Sequence, residues 1–151
     1  MPNRPAHDLA GLLVGGFEGF RLSEQIQSRY RLAEVIGSTV GGVGGSRVPD
    51  AFDTPTSPRH RGLAHGVAAA SFVLSLPVEE WQAACRAHAA AHEANAIALA
   101  EGSLNWLVQR ALVLFWHFLA GLLGGLRAGY FSHLALDAMT PMSLPLIGLG
   151  V

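Results

Sequence analysis

The sequence predicts an all-α protein, a compact bundle of about five or six short helices. Half of its 151 residues are hydrophobic and 14% are charged, against roughly 25% charged in an average soluble domain. Helical spacing of apolar and small residues recurs along the chain, whereas the alternating pattern of strands is absent. Because a chain of this length fits one domain, we expect residues 1–151 to form a single helical unit.

The first predicted helix covers residues 6–20, and the second covers about 30–45. The second is rich in glycine, but no Gly-Lys-Ser/Thr follows it, so a phosphate-binding loop is not indicated. Small residues spaced by four more often let helices approach closely. Three prolines then predict a loop from Pro49 to Pro58.

The second half of the chain predicts four more helical segments, with a break at Gly102 and Ser103. They are Leu63–Leu76, Val78–Ala100 after Pro77, Leu104–Leu126, and a last helix from about Arg127 to Met139.

The apolar run from Ala111 to Leu126 is the segment that could indicate a membrane-spanning helix. Its sixteen residues span roughly 24 Å as a helix, short of the ~30 Å hydrocarbon thickness of a bilayer. One interpretation is a bundle with a very apolar interior. The other is a set of short helices partly embedded in a membrane or lying on it, with Trp106 and Trp116 near its surface. The low charge favours membrane association, and the cytoplasm is the second choice.

Composition excludes several classes of function. Ten arginines, no lysine and eleven acidic residues leave no basic block, so nucleic-acid binding is not indicated. The absence of lysine removes Schiff-base chemistry and the P-loop lysine. Cys85 is the only cysteine, so a metal site in this chain must use His, Asp and Glu.

His133 and Asp137 are the most informative pair. Their spacing of four residues puts an imidazole and a carboxylate on one helix face, one turn apart. An ionised carboxylate in an apolar stretch needs a cation or several donors. The pair can bind a divalent metal, or it can form a buried hydrogen bond that joins two helices.

Two further segments offer ligands. Asp50 and Asp53 could both bind metal, or one could bind it while the other orients a histidine; helix capping is the alternative. His60 and His65 can converge on one site, since neutral imidazole is the commonest metal ligand. Arg61 could pair with a substrate phosphate or carboxylate, or with one of the loop acids.

The other histidines are weaker candidates. His7 could join the site or simply be exposed near the chain terminus. His88 and His92 have helical spacing, but their helix is the most polar of the chain, so we interpret them as a solvated face. We expect His117 to be a hydrogen-bonded core histidine.

Three motifs, in this order, resemble the YdjM-type family of inner-membrane proteins grouped as metal-dependent hydrolases. They are Pro49-Asp50, His60-Arg-Gly-x-x-His65, and Gly129-Tyr-x-Ser-His133-x-x-x-Asp137-x-x-Thr140-Pro141 with Leu144-Pro-Leu146 after it. The resemblance implies a helical protein associated with the bacterial inner membrane. It also implies a metal-ligand set of His7, Asp50, His60, His65, His133 and Asp137.

The function expected from this pattern is metal-assisted hydrolysis of an ester or phosphoester, with Zn²⁺ as the first candidate metal. Asp53 would act as general base or second ligand, and Arg61 would neutralise an oxyanion. The substrate would be a membrane lipid or a small phosphoester. The rival is a non-catalytic structural or interaction protein that a metal or hydrogen bonds stabilise, and that could be a component of a larger assembly or of a mobile element. A homo-oligomer or a larger assembly is compatible with either function.

Overall fold

Four long helices and one short one account for most of the computed structural model, which describes residues 4–24, 26–53 and 63–139. The elements are α1 (Arg4–Ser23), α2 (Ser28–Phe52), a 3₁₀ turn (Leu63–His65), α3 (Val67–Ser75), α4 (Val78–Ile97) and α5 (Leu104–Ala138). The prediction of an all-α bundle is confirmed. Helix α2 packs between α1 and α5, and α4 packs on α5.

The prediction of two helices that meet near Arg127 is wrong, because α5 is one continuous helix of 35 residues. The adjacent glycines at 124 and 125 do not interrupt it, since they pack against neighbouring helices, Gly125 on the carbonyl of Ser38. Arg127 pairs with Glu79 of α4 instead of marking a helix end. The predicted start is confirmed: the Ser103 hydroxyl accepts from the Trp106 amide, after Gly102 at a φ of 80°.

Helix α2 is longer than predicted, and Pro49 lies inside it rather than opening a loop. Proline removes one amide donor but does not prevent the helix from continuing for another turn. The amide of Asp53 closes that turn on the Pro49 carbonyl, at 2.9 Å. The predicted start of a loop at Pro49 is therefore wrong, and residues 54–58 of that prediction lie outside the described part of the chain.

Small residues repeat every four positions along the faces where α1, α2 and α5 meet. These stripes are His7-Gly11-Gly15-Gly19-Ser23 on α1, Glu34-Ser38-Gly42-Ser46-Asp50 on α2 and Gly121-Gly125-Gly129-His133-Asp137 on α5. A Cβ added at Gly15 would meet the Ser38 carbonyl, and one at Gly129 the Gly42 carbonyl. The three backbones are therefore in direct contact.

Candidate metal centre

The small-residue stripes end in polar side chains at one end of the bundle. His7 belongs to the first turns of α1, Asp50 to the last turn of α2, and His133 and Asp137 to the last turns of α5. The 3₁₀ turn adds His65. Because α1 runs antiparallel to α2 and α5, the start of one helix meets the ends of the other two.

Four of these side chains face one another at similar distances. The Nε2 atoms of His65 and His133 lie 3.1 Å apart. Asp50 Oδ1 lies 3.4 Å from His65 Nε2 and 3.6 Å from His133 Nε2. Asp137 Oδ2 lies 3.5 Å and 3.6 Å from the same two nitrogens. Two imidazoles and two carboxylates thus converge.

The outer contacts of the two histidines determine which ring nitrogen carries hydrogen. His65 Nδ1 lies 3.0 Å from Asp53 Oδ2, and His133 Nδ1 lies 2.5 Å from the Ser46 carbonyl oxygen. A carbonyl and an ionised carboxylate only accept, so each Nδ1 donates its hydrogen there. In the neutral form of each ring the lone pair is then on Nε2, and the two Nε2 atoms face each other at 3.1 Å.

Asp53 is itself held in place by the backbone of the 3₁₀ turn. The amide of Ala64 donates to Asp53 Oδ2 at 2.8 Å. The carbonyl of the same residue accepts from the Tyr130 hydroxyl of α5 at 2.7 Å. Asp53, Ala64 and Tyr130 thus link the orientation of His65 to helix α5.

His7 completes the cluster from the α1 side. Its ring is stacked on that of His133, with centroids 3.8 Å apart, and its Nε2 lies 3.7 Å from Asp137 Oδ1. That distance is longer than a hydrogen bond, and so is the 3.6 Å between His133 and Asp137. The expected alternative, a direct hydrogen bond within the His133 and Asp137 pair, is thus not what the structure contains.

Burial favours the uncharged form of His7. Desolvation in the bundle lowers the pKa of His7, the neighbouring His133 lowers it further, and the nearby Asp137 and Asp50 only partly offset this. Neutral imidazole is the form that binds metals.

The cluster is buried except on one side. His65, His133, His7 and Asp137 are buried, whereas a third of the Asp50 side chain, 33%, is exposed. Among the ligand candidates that the structure describes, Asp50 thus provides access from solvent.

Two predicted site residues, His60 and Arg61, lie outside the described residues. The other six candidates come together: His7, Asp50, Asp53, His65, His133 and Asp137.

The remaining histidines behave largely as expected. His88 is exposed and stacks on Trp116, while His92 bonds Gln109 through Nδ1 at 2.7 Å. His117 is a hydrogen-bonded core residue, as predicted, with Glu34 as its partner.

That partner belongs to a second buried polar cluster, which the sequence did not reveal. Glu34 is 1% exposed and accepts two hydrogen bonds from Arg86 of α4 and one from His117 of α5. Burial raises the pKa of the Glu34 carboxyl, but the hydrogen bonds from His117 and Arg86 outweigh this and leave the pKa below its usual value. Small or polar residues at every fourth position from Glu34 to Asp50 were the sequence signal that could have indicated this cluster.

Compared with known proteins, the chain matches no family model, no curated protein and no solved structure.

Proposed function

We propose that the cluster at the end of the bundle binds a divalent metal, with Zn²⁺ as the first candidate. The observation that carries the proposal is the 3.1 Å approach of the Nε2 atoms of His65 and His133 between two carboxylates. Two neutral imidazoles repel each other at this distance unless a proton or a metal ion lies between their Nε2 atoms. Asp50 and Asp137, each 3.4–3.6 Å from both nitrogens, add the further ligands that a metal ion needs. A buried position between histidines and carboxylates suits a metal ion.

The donor set fits zinc in chemistry and spacing. Zinc takes imidazole nitrogen at about 2.0–2.1 Å and carboxylate oxygen at about 2.0–2.2 Å, which separates neighbouring tetrahedral ligands by about 3.4 Å. The five distances that join His65, His133, Asp50 and Asp137 run from 3.1 to 3.6 Å. These atoms would hold the metal, and His7 lies beside them on α1, with its ring stacked on that of His133.

Asp53 then acts by orienting His65, one of the two roles that the sequence left open. Its Oδ2 accepts from the ring that would bind the metal, and carboxylates commonly hold metal-bound histidines in this way. The carbonyl of Ser46 does the same for His133. The role of Asp53 as general base and that of Arg61 at an oxyanion remain predictions.

The activity we propose is hydrolysis of an ester or phosphoester. A divalent metal at this site would lower the pKa of a bound water to around 7 and polarise a P–O or C=O bond. The exposed side of Asp50 supports it, because substrate and water need a path to the site. So does the resemblance to the YdjM-type family, whose motif residues include Asp50, His65, His133 and Asp137.

We also propose that the protein is associated with a membrane. Helix α5 is long and apolar enough to cross one, and most of its apolar stretch is not buried in the bundle. Large apolar side chains are also exposed on α1 and α2, among them Phe17 and Leu32. After cell lysis, we expect the protein in the membrane fraction, released by detergent and not by high salt; recovery in the soluble fraction would contradict this.

The metal proposal is tested on the full chain purified without chelator. Elemental analysis should find zinc or another divalent metal at one equivalent or more. The double variant His133→Ala with Asp137→Ala should lose it, whereas His88→Ala with His92→Ala should keep it. Absence of metal, with no binding of added Zn²⁺ or Mn²⁺, would rule the proposal out.

The hydrolase proposal is tested with chromogenic phosphomonoesters, phosphodiesters and carboxylic esters, in detergent and with added metal. We expect turnover of at least one class that the His133 and Asp137 double variant loses. The matched His88 and His92 variant should retain it. Metal binding without turnover of any class would favour the rival function.

That rival is a metal-stabilised structural protein, and the count of donors favours it. Four protein ligands would fill a tetrahedral zinc site, whereas catalytic zinc keeps a position open for water. Substitution with Co²⁺ separates the two functions. If azide or phosphate changes the Co²⁺ visible spectrum, a position is open; an unchanged spectrum indicates a closed structural site.

A further inference from the structure

The stacked rings of His7 and His133 are poorly oriented to bind one ion together. Their rings are stacked, with an interplanar angle of 19° and centroids 3.8 Å apart. The lone pair of an imidazole nitrogen lies in the plane of its ring, so a metal ion lies close to that plane. Two stacked planes therefore direct their lone pairs at two positions.

The carboxylate of Asp137 faces both positions with different oxygens. Its Oδ1 lies 3.7 Å from His7 Nε2, whereas its Oδ2 lies 3.6 Å from His133 Nε2 and 3.5 Å from His65 Nε2. A carboxylate that presents one oxygen to each of two ligand groups is suited to bridging two metal ions. In two-metal sites the ions lie about 3.5–4 Å apart, which matches the spacing of the stacked rings.

His7 itself suits a ligand better than a structural residue. It is 5% exposed, and its Nδ1 has no hydrogen-bond partner in the part of the chain that the structure describes. Its Nε2 lies beyond hydrogen-bond distance of Asp137. Burying an imidazole nitrogen without a hydrogen bond is costly, and a cation bound by His7 Nε2 beside Asp137 Oδ1 would offset part of the cost of burying the ring.

We propose that the site holds two divalent ions bridged by Asp137, the first bound by His65, His133 and Asp50 and the second by His7. This inference rests on the metal-binding function proposed above and adds the number of ions and the assignment of His7. The bridging role makes Asp137 a ligand of both positions.

Metal stoichiometry tests the proposal. The full chain, freed of metal by a chelator and titrated with Mn²⁺ or Zn²⁺, should bind two equivalents. His7→Ala should bind one, because only the second position loses its imidazole. His88→Ala, which removes an exposed histidine of α4, should still bind two.

Electron paramagnetic resonance of the Mn²⁺ form provides an independent readout. Two ions bridged by one carboxylate should give an exchange-coupled spectrum in the wild-type protein. In His7→Ala the signal should revert to that of an isolated Mn²⁺. Asp137→Asn should weaken both positions and abolish the coupling.

The outcomes separate this inference from the function on which it rests. One uncoupled equivalent in the wild-type protein would overturn the two-metal inference and leave the metal site standing. No binding would remove both. If the circular dichroism of His7→Ala shows that the variant has lost its helices, His7→Gln is used in its place. The metal stoichiometry and the Mn²⁺ spectrum of the wild-type protein also show, without any variant, whether one or two ions bind.

Discussion

At the scale of single residues, Asp53 and the backbone of Ser46 decide which nitrogen of each histidine faces the site. Asp53 accepts from His65 Nδ1, and the Ser46 carbonyl accepts from His133 Nδ1. The residue types and spacing of the two histidines were visible in the sequence. Their tautomers were not, because a carbonyl 87 positions away in the chain has no sequence signature.

Tyr130→Phe tests the positioning of His65 at this scale. Removing the hydroxyl frees the Ala64 carbonyl and loosens the turn that holds Asp53 against His65. Substitution of a group that directly orients a metal-binding histidine typically weakens metal binding about 10- to 100-fold. Tyr130 reaches His65 only through Ala64 and Asp53. We therefore expect a loss of affinity at the lower end of that range, about 10-fold, measured by competition with a chromogenic chelator.

Tyr30→Phe is the matched control, since the chain has two tyrosines and both are buried. The Tyr30 hydroxyl contacts Arg110, away from the candidate metal ligands. Its removal should leave metal affinity unchanged. Equal losses in both variants would mean that general loosening, and not the orientation of His65, explains the effect.

At the scale of helices, the small-residue stripes explain why the ligands meet. Because the stripes repeat every four residues, each extends along one helix face until it reaches a ligand. Gly42 contacts both Gly11 of α1 and Gly129 of α5, so three backbones approach closely just before the site. Larger residues there would separate His7, Asp50 and His133.

Two adjacent glycines of α1 test this packing. A Cβ at Gly15 would meet the Ser38 carbonyl, so Gly15→Ala should destabilise the fold by about 1–3 kcal/mol through overpacking. A Cβ at Gly16 would lie 3.5 Å from the Thr39 hydroxyl, an ordinary contact. Gly16→Ala should be neutral, or stabilising by up to about 1 kcal/mol through helix propensity. Denaturant unfolding of both variants measures the difference; equal stabilities would contradict close backbone packing.

At the same scale, the cluster around Glu34 predicts that the stability of the fold depends on pH. Folding lowers the pKa of Glu34, so its stabilising contribution is present above its ordinary pKa of 4.5. As the pH falls from there through the lower folded pKa, the folded form must take up a proton and the contribution is lost.

Glu34→Gln should therefore cost about 3 kcal/mol near pH 7, since Arg86 and His117 lose a buried carboxylate. The cost should shrink as the pH falls below 4.5. Denaturant unfolding of the wild-type protein and of Glu34→Gln between pH 3 and pH 7 measures this cost. Glu18→Gln removes an exposed partner of Arg21 and should have little effect at any pH; a constant Glu34→Gln cost across this range would contradict the cluster's role.

At the scale of the molecule, buried polar clusters lie at two separate levels of one bundle. Glu34 and Asp50 are sixteen residues apart on α2, or about 24 Å along the helix. At the Glu34 level, Arg86 and His117 join α4 and α5 to α2. At the Asp50 level, candidate ligands from α1, α2, α5 and the 3₁₀ turn converge, so a bound metal would connect four segments.

Metal should accordingly stabilise the whole fold. A ligand that binds only the folded chain adds about 2.7 kcal/mol at one hundred times its dissociation constant. We expect added Zn²⁺ to raise the melting temperature of chelator-treated protein by about 5–10 °C. The His133→Ala and Asp137→Ala double variant should show no rise; a rise of the same size in that variant would place the stabilising metal elsewhere.

The sequence by itself determined the all-α class, most helix positions and the residue types of the site. Periodicity and composition act locally, so they reveal helices, breaks such as Gly102, and pairs such as His133 and Asp137. They did not reveal that α5 is continuous past Arg127 or that α2 passes through Pro49, because packing on neighbouring helices overrode those local signals.

Only the tertiary structure decided how the candidate ligands meet. It brought His7 from the first turns of the chain against His133, stacked the two rings, and turned the Nε2 atoms of His65 and His133 toward each other. It also revealed the Glu34 cluster. These arrangements depend on contacts between residues tens of positions apart, which are set by close helix packing and not by local spacing.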